Sequence, residues 1–396
     1  MPLPVVLSLA LSFAVLFAVA RWSLPGALTA GALSLGFLTL PPATVVWVAG
    51  ATLGDPSVLA LALAVAVIPL IGGVMEEGGL MDRLVASLRM GRRPFLAVAP
   101  AMVGMLPMPG GALLSAPLVE RRGADLPGEL KAAINVWYRH LMLLIYPLSP
   151  SLIASAQMAG LGVYEIIPWQ VPGFLFCGLL GYVFLLRRVP ADGPGIGDPR
   201  TGNVPLTVLF SAPAVDLLLQ RAGLLPFPTL GALAGVTVGL VLAYAHSGPK
   251  GRDLGTIARK MRPWSFGAIV LGMFLFLEMF TASPAPSFIA DVAPSQWALL
   301  VPVGFILGAA TGRIQLPASI LIPIHLAMVG ATTMQPIPFA VMYLAVFLGY
   351  MVSPIHPCLV VCLEYFRTDL RGFARAVVGP VTLAFLAAGL VGLMVL

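Results

Sequence analysis

The chain has 396 residues, of which 59% are hydrophobic and only 10% charged, far below the roughly 25% charged of soluble domains. That composition excludes a soluble globular protein and points to an all-α polytopic membrane protein. The net charge of +6 would suit nucleic acid, but the basic residues sit in short loops between apolar runs, where they read as topology signals and no nucleic-acid partner is expected.

A bilayer crossing needs about 20 apolar residues, and such runs lie near 2–20, 24–42 and 56–76. Residues 2–20 have no basic region in front and no cleavage site, so a first span is expected, not a cleaved signal peptide. The stretch 43–54, with Trp47, is too short to cross and is expected at the interface. Met81–Arg93 is amphipathic and basic. It leads into an apolar stretch, 94–122, interrupted by Leu106-Pro107-Met108-Pro109-Gly110-Gly111-Ala112-Leu113-Leu114-Ser115-Ala116-Pro117. Proline removes backbone donors and glycine adds freedom, so this cannot be ordinary helix. In a bilayer such backbone is tolerated only when buried in protein or lining a watery cavity. A hairpin that enters and returns is expected here.

The stretch 130–160 is a span broken at Tyr146-Pro147-Leu148-Ser149-Pro150, and 166–186 is another span. Residues 189–203 form the only sustained polar, Pro/Gly-rich segment and read as a linker between halves. Beyond it, spans fall near 204–221, 226–245 and 264–283. A second hairpin over 296–329 turns at Thr311-Gly312-Arg313-Ile314-Gln315. A span over 336–364 is broken at Tyr350-Met351-Val352-Ser353-Pro354-Ile355-His356-Pro357, and the last span is 373–395.

The halves, 1–188 and 204–396, match in register. Ser115 and Ser319 are 204 residues apart, as are Tyr146 and Tyr350, Ser149 and Ser353, and Pro150 and Pro354. With each hairpin returning to its own side, each half crosses five times, and an odd count inverts the second half. That is the inverted-repeat plan of secondary transporters, whose sites lie at discontinuous helices near the midplane. Charge supports the count. On this plan 19 of the 22 Lys and Arg fall on one side, Arg221 falls on the other, and Arg139 and Arg313 lie within the membrane. The positive-inside rule makes the basic side cytoplasmic. Both termini are then outside, and the linker 189–203 is cytoplasmic.

Leu-Pro-Met-Pro-Gly-Gly-Ala-x-x-Ser-Ala-Pro, then Asn135-Val-Trp-Tyr-Arg139-His140, then Ser-Pro-x-His-x-Cys before Glu364-Tyr365-Phe366, resembles an uncharacterised family of ten-span integral membrane proteins. That family belongs to the ion transporter superfamily, with citrate, gluconate and dicarboxylate permeases and arsenite and sodium/proton antiporters as relatives. The resemblance covers nearly the whole chain. It implies a scaffold-plus-transport-domain fold, a homodimer, elevator-type movement and the cell (inner) membrane. It implies no substrate. The Ser-Asn-Thr tips of the sodium/dicarboxylate relatives are absent, so their sodium sites are not carried over.

Among chemistry-bearing residues, Arg139 stands in an apolar run, where charge is usually functional or paired. Its planar fork suits a carboxylate; the plainer alternatives are pairing with Glu120 or snorkelling. Arg313 sits at the second hairpin tip and either contacts substrate or is merely solvated. His356, between two prolines, is a proton carrier or a core histidine. Pro109, Gly110, Gly111 and the hydroxyls of Ser115, Ser149, Ser319 and Ser353 occupy the symmetric breaks and complete the expected substrate site. Asp216, Glu278 and His356 are the candidates for a coupling proton or sodium ion. His325 and His246 read as structural or solvated, and Cys358 and Cys362 as small core residues. No metal-ligand spacing, Walker loop or catalytic constellation appears, so neither a cofactor nor an enzyme is expected. The expected function is a secondary transporter of a small carboxylate-like anion coupled to protons or sodium. The alternative is a sodium/proton or other cation/proton antiporter.

Overall fold

The computed structural model describes residues 2–106, 111–192, 198–292 and 295–396 and is helical, with no strand among them. The first half contains α1 (Pro2–Ala20), α2 (Leu24–Thr39), α3 (Pro42–Gly54), α4 (Pro56–Glu77), α5 (Leu80–Ala86), α6 (Arg92–Gly104), α7 (Ala112–Arg122), α8 (Gly128–Leu141), α9 (Pro150–Met158) and α10 (Val163–Phe184). After the linker come α11 (Asn203–Ala222), α12 (Thr229–His246), α13 (Leu254–Met261), α14 (Pro263–Ala282) and α15 (Ala285–Val292). Then α16 (Gln296–Ala298) runs through a π-helical turn, Leu299–Val303, into α17 (Gly304–Thr311). The chain ends with α18 (Gln315–Val329), α19 (Pro336–Val352), α20 (Pro357–Tyr365) and α21 (Leu370–Val395).

Among the described residues, seven helical stretches are long and apolar enough to cross a membrane, and shorter apolar helices flank them. The chain is therefore built as a multi-pass membrane protein. α4 is the central column, with 72% of its most apolar window buried, against 33% for α10 and α21, which face outward. Helix starts follow local chemistry. Ser23, Asp55, Asp253 and Asp369 each accept a first-turn backbone N–H, the usual cap for donors with no partner inside the helix.

Several expected boundaries move. α2 stops at Thr39, because Pro41 and Pro42 cannot continue the ladder. The basic amphipathic stretch after residue 80 is helical only to Ala86, and a new helix starts at Arg92. Of the first proline-glycine stretch, Pro107–Gly110 lie outside the described residues.

Loops and helix ends are tied to one another across the chain. The Gly248 N–H donates to Gly78 O (3.0 Å), and Lys260 Nζ reaches Glu76 and Glu77 (2.9 and 2.7 Å). Thr201 Oγ1 donates to Arg83 O (3.3 Å), Arg93 Nε to Val189 O (2.7 Å) and the Arg92 N–H to Asp192 (2.7 Å). Arg92 also pairs with Asp125, whose carboxyl is held below its ordinary range chiefly by that hydrogen bond. Gly128 packs on the Phe366 carbonyl. Elsewhere the Met334 N–H donates to Ala159 O (2.9 Å), Trp297 Nε1 to Gly389 O within α21 (2.9 Å) and Thr229 Oγ1 to Ser57 O (2.9 Å).

Close helix crossings use glycine. A Cβ on Gly308 would overlap Val346 O, and one on Gly349 would overlap Phe305 O, so α17 and α19 meet backbone to backbone. Small residues permit this approach inside membranes. Gly104 lies 204 residues before Gly308, and its added Cβ would overlap the carbonyl of Arg139. That contact locks α6 against α8 beside the most buried arginine.

Gly349→Val is expected to destabilise the protein by about 3 kcal/mol or more through overpacking. Gly50→Ala, where an added Cβ meets nothing within 4 Å on a helix, should be neutral or stabilising by up to about 1 kcal/mol. Melting of the detergent-purified variants checks the pair, and a similar loss for both would contradict the packing account.

Candidate functional site

Two helices unwind in matching ways. After α8 the chain passes through a 3-10 turn, Met142–Leu144, and restarts as α9 at Pro150; α19 ends at Val352 and α20 begins at Pro357. At each break a serine N–H bonds the tyrosine carbonyl three residues earlier: Ser149 to Tyr146 at 2.9 Å and Ser353 to Tyr350 at 3.3 Å. The serine backbones nearly coincide, with φ/ψ of −62/118° for Ser149 and −64/124° for Ser353. Proline explains both breaks, since its ring lacks a donor and clashes with the preceding turn.

The breaks meet the end of α6 and the turn between α17 and α18 at a cavity of about 500 Å³. It is lined by the end of α6 (Gly104, Leu106), the end of α8 (Arg139, His140, Leu143) and the start of α9 (Pro150, Ser151). The turn Gly312–Gln315, Tyr350, His356, Pro357, Cys358 and Phe266 complete it. Among the described residues no Asp or Glu lines it.

Arg139 is 4% exposed. Its Nη1 donates to Gly111 O at 2.7 Å and reaches Ser115 Oγ at 3.4 Å. No carboxylate pairs with it among the described residues. The expected alternative partner, Glu120, is taken instead by Lys131 at 2.7 Å, which lies nearer the loop end of α8. Arg139 thus ties the N-terminus of α7 to α8 while facing the cavity. Arg313 is half-buried and follows Gly312, whose φ of +60° suits glycine. It too pairs with no carboxylate among the described residues.

His140, His356 and Tyr350 form one aromatic cluster. Ring centroids are 4.6 Å apart for the two histidines and 4.0 Å for Tyr350 and His356. His140 Nδ1 lies 2.7 Å from Val136 O. Both nitrogens of His356 are buried without a hydrogen-bond partner among the described residues.

The structure brings Arg139, Arg313 and His356 to one cavity, but not the serine hydroxyls. Ser115 serves Arg139, and Ser319 bonds back to Leu316 O at 2.8 Å. Ser149 contacts Ser151 at 3.0 Å, and Ser151 accepts from Tyr343 at 3.0 Å. Ser353 Oγ is buried without a partner among the described residues. Gly111 contributes a carbonyl, while Pro109 and Gly110 lie outside the described residues.

Asp216 and Glu278 lie elsewhere. Asp216 is fully buried between Gln220 Nε2 (2.7 Å) and Tyr164 Oη (2.9 Å). Glu278 lines separate cavities, one with Met158, Thr281 and Pro323, the other with Asp55. Among the lining residues absent from the expected site are His140, Ser151, Gln315, Tyr350, Cys358 and Phe266. Tyr350 belonged to a repeated motif and Cys358 follows His356 by two positions, so both carried a signal. Phe266 carried none.

A sequence profile for the family described as "Protein of unknown function (DUF401)" matches residues 4–396, so the chain belongs to that family. None of the curated proteins compared with the chain matches it.

Arg139→Met strands the Gly111 carbonyl and Ser115, and is expected to cost about 1–3 kcal/mol. Arg313→Met strands no described partner and should change stability by less than about 0.5 kcal/mol. Melting temperatures of the two purified variants test this difference, and equal losses would refute the structural role given to Arg139.

Proposed function

We propose that this member of the DUF401 family is a secondary active transporter of a small, carboxylate-like organic anion, coupled to protons or sodium. The observation that carries this reading is the cavity where Arg139 and Arg313 converge with no acidic residue among its described lining. Two guanidiniums without carboxylate partners in an apolar protein are costly unless something compensates them. A planar anionic group fits their fork geometry.

Helix ends add to the field. The N-termini of α9, α18 and α20 contribute Ser151, Gln315 and Cys358 to the lining. Helix N-termini carry unpaired N–H groups and partial positive charge, which favour anions. Discontinuous helices that aim such ends at a substrate are the recurring device of secondary transporters.

On this reading the chain is a ten-span inverted repeat of the ion transporter superfamily, working by elevator-type movement as a homodimer in the inner membrane. Arg92 and Asp125 join the two ends of the first hairpin stretch among the basic loops, which fits its entry from that side. The basic loops, the linker included, would face the cytoplasm and both termini the outside.

A second reading, a cation/proton antiporter, draws on Asp216. Tyr164 Oη lies 2.8 Å from Pro213 O and 2.9 Å from Asp216 Oδ2. One hydroxyl hydrogen faces two acceptors, so a proton on the carboxyl would complete the set.

Thermal-shift measurements on the purified protein, with carboxylates, sugar acids and oxyanions in the presence and absence of sodium, separate the readings. An anion transporter gains melting temperature with a subset of anions, and Arg313→Gln abolishes that gain while leaving the unliganded melt unchanged. Stabilisation by sodium alone, lost in Asp216→Asn and indifferent to every anion, would replace the first reading with the second.

A further inference from the structure

One wall of the cavity gathers His140, His356 and Cys358, with one potential ligand atom from each within 4.8 Å of the others. His140 stands in the last turn of α8, His356 is the residue before α20, and Cys358 is in the first turn of α20. No sequence spacing announces such a set, because the two histidines come from different halves of the chain.

Three features separate it from packed core residues. First, a carbonyl oxygen can only accept, so the His140 contact with Val136 O places the proton on Nδ1 and the lone pair on Nε2. An outer carbonyl orients metal-binding imidazoles in this way. Second, His356 is 1% exposed, and neither ring nitrogen has a partner among the described residues. Its ring lies against Tyr350 with the two planes tilted by 36°, a contact that gives neither nitrogen a hydrogen bond. A buried nitrogen left so calls for a ligand. Third, Cys358 is half-buried and lines the cavity, whereas Cys177 and Cys362 are buried outside it and Cys362 accepts from Asn135 Nδ2 at 3.1 Å.

We infer that His140, His356 and Cys358 bind a borderline-soft transition-metal ion of the zinc class, with its fourth coordination position open to the cavity. Two imidazoles and a thiolate are a donor set that such ions take. Metal–nitrogen and metal–sulfur bonds of about 2.0–2.1 and 2.3 Å place tetrahedral donors roughly 3.3–3.7 Å apart. Side-chain rotations that close the gaps by about 1 Å are enough. Binding displaces the Cys358 thiol proton to solvent as the sulfur becomes a thiolate. A divalent ion with one thiolate adds net positive charge beside Arg139 and Arg313, so an anionic oxygen at the open position is favoured. The site goes beyond the transport reading and does not require it.

The test uses the full chain, purified in detergent, stripped with a chelator and titrated with Co²⁺. The expected result is a tetrahedral cobalt spectrum with a thiolate-to-metal charge-transfer band, displaced by Zn²⁺. Cys358→Ser should abolish that band, and Cys177→Ser should keep it. His140→Ala and His356→Ala should each weaken cobalt binding at least about tenfold, the lower end of what loss of a mere outer partner costs a metal site. Melting of each variant without metal checks its fold. In the unaltered protein, Zn²⁺ should also shield Cys358 from a thiol-modifying reagent. A missing band, a band that survives Cys358→Ser, or modification of Cys358 unaffected by Zn²⁺ overturns the inference. Cobalt binding by this set with no response to any anion leaves the metal site standing and removes the anion reading. An anion response without cobalt binding does the reverse.

Discussion

Peptide groups cannot be left unpaired in hydrocarbon, and this chain places non-helical backbone in the middle of its apolar mass. Everything around the cavity answers that constraint. Each break closes one tight serine-to-tyrosine hydrogen bond. The start of α7 is held by a guanidinium that takes the Gly111 carbonyl. Glycines at α6–α8 and α17–α19 let neighbouring backbones approach closely enough to shield what remains.

Charge follows from the same geometry. Helix restarts at Pro150, Gln315 and Pro357 turn partial positive ends inward, and Arg139 and Arg313 add full charges without a described carboxylate to cancel them. The acids in the apolar helices are placed differently: Asp216 is enclosed by Tyr164 and Gln220, and Glu278 opens onto other cavities. On the proposed reading, this separation favours an anion at the cavity over an exchanged cation. It also explains why a metal held by His140, His356 and Cys358 would strengthen the hold on an anion and not compete with it.

Much of the architecture was legible because proline and glycine act locally. The two Ser-Pro breaks, the turn before Arg313 and most helix positions follow from residue type alone. Packing partners did not. Lys131 captures Glu120, leaving Arg139 to a backbone carbonyl, because that choice depends on how α7 lies on α8. Of the serines matched by register, Ser319 bonds back within its own helix, Ser149 meets Ser151, Ser115 meets Arg139, and Ser353 Oγ has no partner among the described residues; which partner a hydroxyl finds depends on packing that register does not show. Cys358 looked like a core residue beside Cys362, but α20 starts between them and His356 and turns only one of the two cysteines to the cavity. Tyr343, which ties α19 to the first break through Ser151, gave no sequence signal at all.

The central claim is that the cavity between the two breaks is the exchange point of a transport cycle. It is tested most directly by replacing the three cysteines with serine, introducing Gln315→Cys, and applying membrane-impermeant thiol reagents to right-side-out and inside-out vesicles. The account predicts modification of position 315 from both sides, with a bound anion suppressing both reactions. Reaction from one side only, unchanged by any anion, would contradict it.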